Sequence, residues 1–363
     1  MRQNSPLRGS GAVHLRNCPF LSRLGFTLGN HLTFPNSLYM AFRYLLYGLN
    51  LRSDLPLPAL WECAGEVESD VEITFHKLHQ ITDVQRDPWY ISPYLDENGK
   101  PYLTVWKAAD DSAFHFLYGD QTEFLVDQDG SHVSATWPPS LNLENTTVYL
   151  TGQIAAFILR LRGLVCLHAS SILVDSKVIA IAGESGSGKS SAAACLTTLG
   201  YSVLSEDVTT LVNGSTVQVL PGYPRINLWP DVEPALRGTT DSLPRIAPTW
   251  NKRYLDLRKH GGGFWDKPAP LGGVYVLGDR RSGESAPSIE KLESSDALVS
   301  LLANAHGRYL LEKSMRVREF EVLSQVARQI PVCRVIPHKD LYRLNDLCET
   351  IIDDFRNSLP SNN

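Results

Sequence analysis

The sequence predicts an α/β fold in which a phosphate-loop domain is preceded by a smaller, antiparallel β-rich domain. Three observations carry that reading. Lys177 to Ala182 is a short apolar, β-prone run that enters a glycine-rich turn, and an alanine-rich segment without Pro or Gly follows. Residues 40–145 show strand-like runs separated by turn dipeptides, the pattern of half-buried strands. Residues 164–358 mix strand-like runs with segments of helical apolar spacing.

Bulk properties narrow the field. The 363 residues are 43% hydrophobic and 20% charged, which excludes wholesale disorder. A net charge of −5 with no long basic run argues against nucleic acid as a partner. No apolar run reaches the roughly 20 residues that span a bilayer, and the N-terminus lacks a signal-peptide apolar core, so no membrane partner and a cytoplasmic location are expected. The six cysteines are scattered without a C-x-x-C pair, as reduced thiols would be.

In order, residues 1–39 read as a flexible leader, and Met40, directly before AFRYLLYGLNL, is a second candidate start. The β-rich domain is assigned to residues 40–145. Its strands include Val71 to Leu78, PYLTVWKA after an Asn98-Gly99 turn, Ala113 to Tyr118, and two runs joined at Asp129-Gly130. Its histidines, His76, His79, His115 and His132, lack metal-ligand spacing and read as structural. Residues 146–162 have helical spacing, closed by Gly163, and open the second domain, 146–358. A strand over 164–175 turns at Asp175-Ser176 into the loop strand. Beyond the loop helix come a strand over 201–204, a hairpin turning at Asn213-Gly214, and GYPRINLW. A Gly-, Pro- and charge-rich loop is expected over 238–270, and a strand over 271–277. Helices are expected over 294–311, 316–330 and 339–356, with a strand over 332–337.

Gly183-Glu184-Ser185-Gly186-Ser187-Gly188-Lys189-Ser190 has the Walker A spacing G-x-x-x-x-G-K-[ST], with a strand before it and a helix after it. Glycines let successive backbone N–H groups converge on phosphate oxygens, and the following helix presents its positive end to the same anion. Residues Gly183 to Ser191 are therefore expected to cradle a nucleoside triphosphate, with Lys189 reaching the β/γ-phosphates and Ser190 ligating Mg²⁺. Glu206 and Asp207 stand at the C-terminal end of the next strand, where ligands bind in open α/β sheets. Asp207 is assigned to the metal and Glu206 to the base, the two roles being interchangeable on sequence alone. His168 ends the strand beside the loop strand. Arg225, Lys252, Arg253 and Arg258 are candidate phosphate clamps.

The segment LHASSILVDSKVIAIAGESGSGKSSAAACLTTLGYSVLSED is similar to the kinase core of the HPr serine kinase/phosphorylase family, which has a histidine and an acidic pair at the same distances from its phosphate loop. The resemblance implies an HPr kinase-like P-loop enzyme, a Mg-ATP-dependent phosphotransferase acting on a serine of a protein or peptide. It also implies that His168 tunes the acidic pair and that Glu206 stands at the base position. Some relatives modify a precursor serine in ribosomal peptide pathways, lasso peptides included, and oligomers are common among them, which leaves a homo-oligomer open. Two departures stand out: Glu206 replaces the usual aspartate, and GYPRINLW, with Arg225 as its cation, occupies the place of an E-I-R-G-x-G segment. A small-molecule kinase and a nucleotide-dependent binding module without transfer are the alternatives.

Overall fold

Alternation of buried and more exposed residues along β-strands shapes much of the first sheet. A computed structural model describes residues 41–65, 67–75, 87–237, 243–259, 263–283 and 285–358; the leader, Met40, His76 and His79 lie outside the described residues. The strands are β1 (Phe42–Leu46), β2 (Leu49–Ser53), β3 (Val71–Phe75), β4 (Tyr90–Ile91), β5 (Leu103–Lys107), β6 (Ala113–Tyr118), β7 (Glu123–Asp127) and β8 (His132–Thr136), ordered β1-β2-β3-β8-β7-β6-β5-β4. In β6, Phe114, Phe116 and Tyr118 are buried while their neighbours are half-buried, so one face of the sheet meets a core. That core is closed by α1 (Leu143–Tyr149), a π-helical turn (Leu150–Ile154) and α2 (Ala155–Leu161). Phe157 meets Phe114 and Phe116 edge to face at 4.9 and 5.1 Å. Asn142 caps α1 by accepting from the Asn145 N–H, which starts the helix before the expected Thr146.

The expectation of an antiparallel first sheet is corrected: β2–β3 and β3–β8 are parallel, and the other pairings are antiparallel. Apolar alternation decides which face a strand buries and carries no information on the direction of its neighbour. The long segment 54–70 between β2 and β3 permits the crossover that a parallel pair requires.

The second sheet comprises β9 (Val165–Val174), β10 (Lys177–Gly183), β11 (Ser202–Ser205), β12 (Val208–Val212), β13 (Gln218–Leu220), β16 (Ala269–Leu277), β17 (Ser288–Lys291) and β18 (Val332–Ile336). A separate pair, β14 (Arg225–Leu228) and β15 (Arg253–Asp256), is antiparallel, so part of the segment expected to be a loop is a strand. Central β10 lies antiparallel to β9 and parallel to β16. Its residues are buried on both faces, which is why it reads as a continuous apolar run. Ile179 and Ile181 pack on α3 (Lys189–Thr198) and on α7 (Leu344–Ser358). Val178, Ala180 and Ala182 face a core shared with α5 (Ser294–Ala303) and α6 (Lys313–Gln329).

One helix ends early. The expected helix over 294–311 stops at Ala303, and residues 304–306 run beside β9 instead. Here the His168 N–H donates to Asn304 O and the His306 N–H to Cys166 O, both at 2.8 Å. Gly307, at φ 67°, then turns the chain in a left-handed conformation.

Candidate functional site

The glycine-rich turn connects β10 directly to α3, as the spacing predicts. Gly183 and Gly188 hold φ values of 149° and 111°. A Cβ on Gly183 would lie 2.7 Å from Ser187 Oγ, and one on Gly188 would lie 2.5 Å from Arg280 Nη2. Neither position accommodates another residue without a shift. Glu184, Ser185 and Gly186 form the exposed tip, whereas Ser191 is buried in the helix. Lys189 is buried, and its ammonium donates to Gly183 O and Glu184 O at 2.8 and 2.9 Å. Burial pushes that ammonium down to about 8 despite the nearby Asp207 and Glu206 carboxylates.

The acidic pair sits where β11 gives way to β12, both strands pairing with β9. Asp207 adopts a left-handed backbone, φ 69°. Ser190 Oγ donates to Glu206 Oε1 at 2.6 Å, and Glu206 Oε2 is buried with no hydrogen-bond partner. Burial, then the charge of Asp207, pushes Glu206 up to about 7. His168 does not end its strand as expected but lies within β9, which runs on to Val174 in pairing with β10, and Asp207 Oδ1 lies 3.4 Å from its Nε2. Burial alone would raise Asp207, but His168, His306, Lys252 and Lys189 together hold it below the usual range. Burial lowers His168, and takes His306 down to about 4.

His306 is the group that sequence reasoning missed. It was hidden inside an expected helix, although the Asn304 and Gly307 that flank it are helix-stop signals. Its donor atom, with those of His168 and Asp207, forms a cluster whose members all lie within 4.8 Å of one another. Three further residues come from outside the motif. Buried Tyr47, on the β1–β2 turn, donates to Thr151 O in the π-helical turn at 3.1 Å. Tyr309 donates to Gln153 Oε1 at 2.8 Å and stacks on Tyr90. Arg280, two residues beyond Gly278 at the end of β16, donates to Ser187 O and His338 O, each at 3.3 Å.

The expected clamps divide. Lys252 acts electrostatically on Glu206, Asp207, His168 and Lys189. Arg225 instead donates to Pro58 O and lies 4.1 Å over the Tyr254 ring. Arg253 is in β15 opposite Leu228, and Arg258 lies over Trp61. The histidines expected to be structural pair locally, His115 with Glu123 and His132 with Asp127. A cavity of about 360 Å³ lined by Lys107, Arg160, Glu312 and Met315 shares no residue with this site. Among the described residues, no helix is long and apolar enough to cross a membrane.

No family model and no curated protein matches the chain. Among solved structures, the Hpr(Ser) kinase/phosphatase from Coxiella burnetii is similar over 53% of this chain and 95% of that chain, at 14% identity and a TM-score of 0.30.

Proposed function

We propose that the chain is a P-loop kinase that uses Mg-ATP to phosphorylate a serine hydroxyl of a protein or a ribosomally made precursor peptide, lasso-type precursors included. The observation that carries the reading is the strand, glycine loop and helix of residues 177–198, with Ser190 hydrogen-bonded to Glu206. The residues present fit the implied groups. Ser187 Oγ and Glu206 Oε2 are buried without partners, and Gly183 and Gly188 hold left-handed backbones on which a Cβ would be strained. The serine-bearing acceptor is supported by the sequence resemblance over His168, the loop and the acidic pair.

Bound Mg-ATP supplies the phosphoryl group and a cation that neutralises its developing charge. The loop N–H groups and the start of α3 hold the phosphates, and Lys189 exchanges the Gly183 and Glu184 carbonyls for phosphate oxygens. Ser190 and Glu206 would serve the metal side, which exchanges the roles first assigned to the two acids; the Ser190–Glu206 hydrogen bond favours the exchange. Asp207 would then face the acceptor and take the proton that the serine hydroxyl loses as its oxygen bonds the γ-phosphorus and the bond to the departing ADP breaks. His168, 3.4 Å away, would act on that carboxylate through its charge.

The test is incubation with Mg²⁺, γ-labelled ATP, and lysate or serine peptides. Label on serine with the wild type, lost in Lys189→Ala, supports the reading. Bound ATP with no label on any hydroxyl overturns it.

A further inference from the structure

We propose that His168, Asp207 and His306 form a three-donor site for a divalent transition-metal cation of the Zn²⁺ class, beside the phosphate loop and chemically distinct from its Mg²⁺ site. Three separate pieces of chain supply the donors: the middle of β9, the β11–β12 junction, and the extended segment after α5. Backbone bonds fix two of them, since residues 304–306 are tied to β9 at His168 and Cys166. The left-handed conformation of Asp207 fixes the third.

The spacing suits a cation better than a hydrogen bond. His168 Nε2 and Asp207 Oδ1 are 3.4 Å apart, beyond the ~2.7–3.2 Å of a good N–H···O contact. Donors placed tetrahedrally at ~2.1 Å from a metal lie ~3.4 Å from each other. All three donors lie within 4.8 Å of one another, so a modest side-chain rotation closes the set. His306 supplies the independent sign of a ligand: it is only 8% exposed, and its Nδ1 is buried with no hydrogen-bond partner. Two borderline imidazole nitrogens with one carboxylate suit Zn²⁺ or Co²⁺, whereas Mg²⁺ takes oxygen alone. Glu206 adds negative charge nearby, and Lys189 and Lys252 oppose it.

The site is argued from its three donors and not from the kinase reading, with which it shares Asp207; a cation held there would take that carboxylate out of the base role, so the readout is binding and not activity. The metal-free full chain is titrated with Co²⁺, followed by its ligand-field absorption, and the Co²⁺ is then displaced with Zn²⁺. We expect one Co²⁺ per chain and a loss of affinity of about tenfold or more in each of His168→Gln, Asp207→Asn and His306→Gln. Asp207→Asn is the safeguard against misfolding, since Asn tolerates the left-handed backbone that Asp207 holds. No Co²⁺ spectrum, or one that Asp207→Asn and His168→Gln leave unchanged, overturns the proposal.

Discussion

The Ser190 hydroxyl donates to Glu206 across 2.6 Å. The next carboxylate, Asp207, lies instead beside His168. In a regular strand, successive side chains leave on opposite faces. Here the register shift between β11 and β9, together with the left-handed Asp207, aims one acid at the phosphate loop and the other at two histidines.

That division predicts unequal effects on transfer. Glu206→Gln should weaken Mg²⁺ binding, raising the Mg²⁺ needed for half-maximal rate by about tenfold. Asp207→Asn should leave that value near wild type and lower kcat by about 100-fold or more, the range of a lost general base. Steady-state kinetics at varied Mg²⁺ separate the two, and the reverse pattern would exchange the roles.

Glu206 should contribute a loss of stability as pH rises from the usual carboxylate range to about 7, against an opposing gain from His306 and His168, whose folded values are lowered. Folded Glu206 is pushed up to about 7 by burial, so in that window the folded chain keeps a proton that the unfolded chain releases. The loss is on the order of 3 kcal/mol, complete above the folded value. Asp207, held low, acts with the opposite sign and only in more acid solution. In thermal melts of the ligand-free chain from pH 5 to pH 8, the stability of the wild type relative to Glu206→Gln should fall as pH rises. A difference that does not change with pH would assign the effect elsewhere.

Arg280 should matter to nucleotide binding although it lies outside the motif. Its guanidinium reaches the loop at Ser187 O and touches the space above Gly188. Arg280→Ala should weaken Mg-ATP about tenfold, the worth of one charge-assisted hydrogen bond. Gly188→Ala should be more damaging, because its methyl group would meet Arg280 at 2.5 Å on a backbone of φ 111°. Calorimetric titration of both variants checks the order.

Phe157 should be a stability determinant rather than a site residue. It is 2% exposed and edge-on to two phenylalanines of β6. Phe157→Ala should cost ~3–5 kcal/mol in denaturant unfolding.

Local patterns made much of this legible. The buried run of β10, the loop glycines and the positions of His168, Glu206 and Asp207 follow from spacing, because a strand, a turn and a helix are short-range objects. Turns at Asp129-Gly130 and Asp175-Ser176 were equally readable, since residues there hold positive φ. Long-range facts were not. Nothing in VEITF says that β3 runs parallel to both neighbours. Nothing in the Tyr47-Gly48 turn says that the tyrosine reaches the π-helical turn beside Asp207. His306 was lost to apolar spacing that continues past the true end of α5.

Equilibrium titration of the wild type and Lys189→Ala with Mg-ATP tests most directly whether residues 183–190 bind nucleotide phosphates. Wild-type binding should saturate at one nucleotide per chain and weaken at least about tenfold in the variant, with adenosine binding poorly to both. No binding by a folded wild type, or equal affinity in the two proteins, would contradict that role.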